Sequence, residues 1–127
     1  MPNFTSINPD MIYSKLIDEH INKNEALALL ISLVEESNDP HIRIRSLEII
    51  HKLNITNDKI FNLLENSLIS DNNEFVRVTA AKIIALRFPK KGVKPLRWAI
   101  KKETSPLVLD TISKLFEGFE DIYFKKD

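Results

Sequence analysis

Cysteine is absent from this chain of 127 residues. Disulfides, thiolate nucleophiles and cysteine-ligated metals are thereby excluded. The absence suits a reducing compartment, and a cytoplasmic location is the expectation. Glycine occurs only at Gly92 and Gly118, too sparse for a Gly-rich loop that cradles phosphate. Tryptophan occurs once, at Trp98. The longest apolar run, Ala26 to Val34, is interrupted by Ser32 and is too short to span a bilayer. No basic N-terminal segment followed by an apolar one reads as a secretory signal. Without such a signal the glycosylation triplets Asn3-Phe4-Thr5 and Asn54-Ile55-Thr56 carry no weight. No stretch shows the apolar–polar alternation of a half-buried strand.

What is present is ordinary for a globular protein: 43% hydrophobic and 28% charged residues. The length suits one domain, spanning 1–127. The zero net charge conceals a segregation. Met1 to Val76 carries twelve acids and six bases. Arg77 to Lys102 carries nine bases and no acid, and Glu103 to Asp127 carries six acids and three bases. A block of one sign has no local partners at i, i+4. Either the acidic neighbouring segments neutralise it across the fold, or a partner does.

Helix signals recur along the chain. Asn8-Pro9-Asp10 opens a helix whose face is Met11, Tyr13, Leu16, Ile17 and Ile21, a loose match to the helical period. Asn24 is the expected cap of a helix over 25–36, with Leu27, Leu30, Ile31 and Val34 inward. Asp39 caps and Pro40 starts a helix to about Leu53 that buries Ile42, Leu47, Ile49 or Ile50, and Leu53. A helix over 58–69 turns Ile60, Phe61, Leu64 and Leu68 inward, and one over 74–88 follows a polar turn. Pro89-Lys90-Lys91-Gly92 stops that helix. A short helix over 93–102 turns Val93, Leu96, Ala99 and Ile100 inward, with Pro95 in its first turn. The last helix starts at Pro106 and carries Val108, Ile112, Leu115, Phe116 and Phe119. Gly118 weakens its end, and Ile122, Tyr123 and Phe124 are expected to fold back as a cap. Unless they do, Phe116, Phe119, Tyr123 and Phe124 lie exposed, as in a module cut from, or docked to, something larger.

One pattern repeats about a solenoid-repeat length apart. Pro40-His41-Ile42-Arg43-Ile44-Arg45-Ser46-Leu47-Glu48-Ile49-Ile50 aligns with Glu74-Phe75-Val76-Arg77-Val78-Thr79-Ala80-Ala81-Lys82-Ile83-Ile84. A weaker copy begins at Pro106-Leu107-Val108 and continues at Ile112 and Leu115-Phe116. A repeat of this length built only of helices is an α-solenoid unit. Short connections make consecutive helices antiparallel, and stacking makes their apolar faces continuous. The expected fold is all-α: a right-handed α-solenoid of about three to four antiparallel helix pairs.

The residues Val76-Arg77, Ala80-Ala81 and Ile84 resemble the Val-Arg-x-x-Ala-Ala pattern of short bacterial and archaeal HEAT repeats. Ile42-Arg43, Ser46-Leu47 and Ile50 resemble it less strictly, and Val93-Lys94-Pro95-Leu96 is similar to the family's second helix. The resemblance covers about Asn38 to Phe116. It implies a protein–protein scaffold or adaptor whose second helices line the binding surface. It also implies that Arg43 and Arg77 bond loop carbonyls or the Asp39 and Asn73 side chains. Repeat motifs of this kind speak for fold more than for function.

Some HEAT-like proteins are enzymes, among them iron-dependent hydroxylases with His-Glu pairs. Here His20, His41 and His51 are none of them followed by Glu. Glu48 and His51 share a helix face, but two ligands without a second pair make a poor metal site. Asp18-Glu19 and Glu35-Glu36 lie at helix ends with no sign of burial. No enzyme, metal or cofactor is expected.

Binding is therefore the expected function, through the second helices and chiefly the basic third repeat, whose basic stretch is residues 77–102. Lys94, Lys101 and Lys102 share a helix face with Trp98. Trp98 is either an edge residue covered by lysine stems or an aromatic anchor. The candidate partner-binding residues are Lys91, Lys94, Arg97, Trp98 and Lys101. An acidic protein segment is the first expected partner. Nucleic acid, with lysines on phosphates and Trp98 stacked on a base, is the second. Self-association of the acidic half with another copy's basic repeat is the third.

Overall fold

The computed structural model describes residues 7–123, with side chains as far as residue 118. Among these residues are seven helices and no strand: α1 (Pro9–Ile17), α2 (Lys23–Glu36), α3 (Pro40–Lys52), α4 (Asp58–Ser70), α5 (Glu74–Arg87), α6 (Val93–Lys102) and α7 (Pro106–Tyr123). They fall into two compact units, Met1–Ile55 with α1 to α3 and Thr56–Asp127 with α4 to α7.

Polar side chains fix most of the helix starts. Asn8, Asn22, Asp39, Asn57 and Asn73 each accept a backbone N–H from the first turn they precede. The start of α2 differs from the sequence expectation. Asn22, not Asn24, is its cap, because Glu25 three residues on returns a bond to the Asn22 N–H and completes a capping box. Asn24 would have Leu27 in that place, with nothing to return. The inward stripe of α1 also differs. It runs through Pro9, Ile12 and Leu16, and leaves Met11 and Ile17 exposed one position off it. The chain leaves α1 through Glu19 in the left-handed region, at φ 62°.

In the first unit α2 and α3 pack together and α1 lies against both. Asp10 of α1 meets Arg45 of α3 at 2.9 Å, and Tyr13, further along α1, lies 5.5 Å from the Lys52 ammonium, further along α3. Contacts that advance together in this way make α1 and α3 parallel. Leu30, Leu47, Ile49 and Ile50 are buried, so both members of the Ile49-Ile50 pair are core; Ile42 is half-buried.

In the second unit α5 packs on α4 and α7, and α6 packs on α4 and α7. The starts of α5 and α7 are joined, with the Ser105 hydroxyl donating to Glu74 at 3.1 Å. Lys91, just before α6, reaches Asp58 at the start of α4, while Trp98 and Lys102 share a cleft with Leu68 and Ile69 at the far end of α4. Next-but-one helices are again parallel neighbours. An up-and-down bundle would instead pack α5 chiefly on its chain neighbours α4 and α6.

The sequence repeat is also a repeat of turns. At Ser37-Asn38-Asp39, Asp71-Asn72-Asn73 and Glu103-Thr104-Ser105, the first side chain accepts the N–H of the third residue, at 3.2, 2.9 and 3.1 Å. The third residue then caps the following helix. Arg43 donates through Nη1 to the Ser37 carbonyl and Arg77 through Nη1 to the Asp71 carbonyl, each at 2.8 Å. Loop carbonyls are thus among the acceptors of both arginines. In the weaker copy Thr111 bonds the Leu107 carbonyl as Thr79 bonds that of Phe75.

Two positions make the packing constraint visible. Gly92 is buried where the chain curls over the end of α5, and its N–H bonds the Phe88 carbonyl at 2.7 Å. A Cβ there would overlap Ile84 Cγ2 and stand 2.6 Å from the Phe88 carbonyl oxygen. Phe88 is itself held edge-on to Phe61, with ring centres 5.1 Å apart. Ser46, aligned with Ala80, is fully buried and its hydroxyl has no hydrogen-bond partner among the described residues. Beyond this core, Val93 and Ile100 of α6 are half-buried, whereas Leu96 and Ala99 are buried. The helix α7 buries Val108 and Ile112 and passes through Gly118 to Tyr123, so Ile122 and Tyr123 continue the helix. A single glycine costs only about 1 kcal/mol in a helix this long. The exposure expected of Phe119, Tyr123 and Phe124 lies outside the described side chains, and Phe124 outside the described residues.

Gly92→Ala is expected to lower stability by about 2 kcal/mol, because Ile84 and the Phe88 backbone must shift. Ser46→Ala is expected to raise it by about 1 kcal/mol, by removing an unpaired buried hydroxyl. Denaturant titration of both variants checks the two signs.

Candidate partner-binding face

The amphipathic helix α6 places the candidate residues. Pro95, Leu96 and Ala99 are buried, and Lys94, Arg97, Trp98 and Lys101 are exposed. Trp98 is 46% exposed. The Lys102 ammonium stands 5.7 Å from its ring centre, a cation–π distance. Lysine thus lies over the ring, and nearly half of the residue meets solvent. Lys94 and Lys101 have no ion pair among the described residues.

Lys91 stands apart from this face. It lies in the turn before α6, where its ammonium bonds Asp58 at 2.7 Å and covers the Phe61 ring at 4.4 Å. The bond holds the Asp58 carboxyl below its ordinary pKa. Of the five candidates, α6 brings together Lys94, Arg97, Trp98 and Lys101, and the fold gives Lys91 a partner of its own.

Beside Trp98 a cleft of about 220 Å³ opens between the ends of α4 and α6. Leu68, Ile69, Trp98 and Ala99 form its sides, and Asp71, Arg77, Lys102, Glu103 and Thr104 complete it. Sequence reasoning did not find the role of Glu103. Arg77 grips it with Nε and Nη2, both at 3.0 Å, and it also accepts the N–H groups of Thr104 and Ser105, both at 3.1 Å. The Glu103 side chain is only 6% exposed. Burial, the largest single influence, would raise its pKa. The Arg77 bonds and charge and the two backbone N–H groups together outweigh that, and the pKa lies below the ordinary 4.5. The available signal was charge order: Glu103 is the first acid after the basic block that Arg77 begins.

A wider cleft of about 580 Å³ in the first unit, lined by Ser32, Leu33, Glu36, Asp39 and Ile42 among others, contains none of the candidate residues. Among the described residues no group of three His, Asp or Glu side chains is placed to hold a metal ion, and no helix is long and apolar enough to cross a membrane. Comparison with protein-family models, curated proteins and solved structures gives no match.

The Arg77–Glu103 pair generates a pH prediction. A carboxyl whose folded pKa is depressed adds stability above its unfolded value, and that stability is lost as pH falls through the folded value. The wild type is therefore expected to lose stability below about pH 4.5 more steeply than Glu103→Gln, whose residue 103 does not titrate. Arg77→Ala, which strands a buried carboxylate, is expected to cost about 3 kcal/mol at neutral pH. Melting curves from pH 7 to pH 3 check both; parallel wild-type and Glu103→Gln curves would contradict the assignment.

Proposed function

We propose that this chain is a non-catalytic interaction module, a HEAT-like right-handed α-solenoid of three to four helix pairs. Its function is to bind an acidic segment of a protein partner on the exposed face of α6. The observation that carries this reading is Trp98: a half-exposed tryptophan on a helix whose outward residues are otherwise lysine and arginine. Trp and Arg are favoured anchors at interfaces, and the lysines steer an acidic chain toward them. Parallel next-but-one helices within each unit and the recurring turn support the repeat architecture. The scaffold role comes from the resemblance of Val76-Arg77 and Ala80-Ala81 to HEAT repeats.

Nucleic acid is the alternative partner. The same exposed ring offers a stacking platform, and the same lysines suit phosphates. Against it stand the neutral overall charge and the acidic stretch before Arg77. Association of this stretch with the basic face of a second copy is a further outcome, visible as salt-sensitive sedimentation.

Trp98 is the only tryptophan, so its emission reports on this face alone. A labelled Glu/Ser peptide and a labelled single-stranded oligonucleotide are each titrated against the protein at low and physiological salt. The peptide is expected to bind, and the double variant Lys94→Glu/Lys101→Glu to weaken it roughly tenfold without lowering the melting temperature. Trp98→Ala is expected to weaken it further. Oligonucleotide binding that persists at physiological salt, with no peptide binding, would replace the protein partner by nucleic acid.

A further inference from the structure

Building on the partner-binding reading, we propose that the cleft beside Trp98 is the seat of one carboxylate from the bound acidic segment. Its receptors are the unused N–H groups of Arg77 and the ammonium of Lys102.

The cleft's donors and acceptors are unequally occupied. A guanidinium has five N–H donors. Arg77 uses Nε and one donor of Nη2 on Glu103, and one donor of Nη1 on the Asp71 carbonyl. One donor on each terminal nitrogen has no partner among the described residues, and the Arg77 side chain, 15% exposed, lines the cleft. Glu103 accepts four hydrogen bonds, and Asp71 accepts the Asn73 N–H. Among the described residues Arg77 keeps two donors that neither carboxylate takes.

Charge points the same way. The formal charges of Arg77 and Lys102 balance those of Asp71 and Glu103, so the cleft by itself is neutral. Lys101, next in sequence to Lys102, and Lys94 share the outer side of α6 with Trp98 and tip the local field positive. The occupant that satisfies both terms is an Asp or Glu side chain. Its oxygens meet the Arg77 terminal nitrogens and Lys102, while the chain that bears it crosses the Trp98 ring. A partly enclosed guanidinium makes such a bond stronger than a contact with an exposed lysine. Arg77 thereby has two roles, tying the turns together and presenting the anion seat.

Because Arg77 also stabilises the fold, the test uses neighbouring positions. Lys102→Gln removes one receptor. Thr104→Glu places a carboxylate of the protein's own at the exposed rim of the cleft. Both are titrated with the labelled Glu/Ser peptide beside Lys94→Glu/Lys101→Glu, with anisotropy and Trp98 emission read together. Each cleft variant is expected to weaken the peptide roughly tenfold with melting temperature retained, and wild-type emission is expected to shift on binding. Binding that is lost in Lys94→Glu/Lys101→Glu but unchanged in both cleft variants would overturn the carboxylate seat and leave the basic face as the binding surface. Anisotropy that rises while Trp98 emission stays fixed would overturn it equally. A peptide that fails to bind the wild type would overturn the seat together with the partner reading.

Discussion

One guanidinium at the foot of α5 holds three backbone segments in place. Arg77 bonds the carbonyl of its own turn and, through a two-pronged grip, the Glu103 side chain of the next. Glu103 in turn orders Thr104 and Ser105, and Ser105 caps α7 and bonds Glu74. The starts of two parallel helices are thereby locked together. A buried pair of this kind gains stability only when its remaining lone pairs are satisfied, and here two backbone N–H groups complete the set. The end of α6, which leads into Glu103, inherits its position from this knot, and so does Trp98.

The same knot changes the meaning of the charge segregation. Nine bases without an acid suggest a uniformly basic surface. In the folded chain Arg77 is neutralised by Glu103 and Lys91 by Asp58, acids on either side of the block. Neutralisation by acids outside the block thus holds for these two residues. Part of it is balanced across the fold, and part of it, on α6, faces outward around a tryptophan.

Most helices were legible because their signals are local. Asp39-Pro40, Asn73, Gly92 and Pro106 are caps and breakers that act within one turn, and α6 has its expected bounds. Misses arose where a local signal competed with a reciprocal or tertiary one. Asn24 is a plausible cap by type, but only Asn22 has Glu25 at the distance that returns its bond. Met11 and Ile17 fit a loose periodicity, but contact with α2 and α3 selects the stripe through Ile12. The pairing of Lys91 with Asp58, distant in sequence, is of the same tertiary kind.

The sequence by itself determined that the chain is helical, where most helices begin and end, and which positions repeat. Capping, proline placement and apolar spacing act over three or four residues, and the order of residues displays them. The tertiary structure decided which charges are used up within the fold, how much of Trp98 meets solvent, and that a cleft with spare donors lies beside it. These depend on residues such as Arg77 and Glu103, or Lys91 and Asp58, that only the packing of α4, α5, α6 and α7 brings within bonding distance.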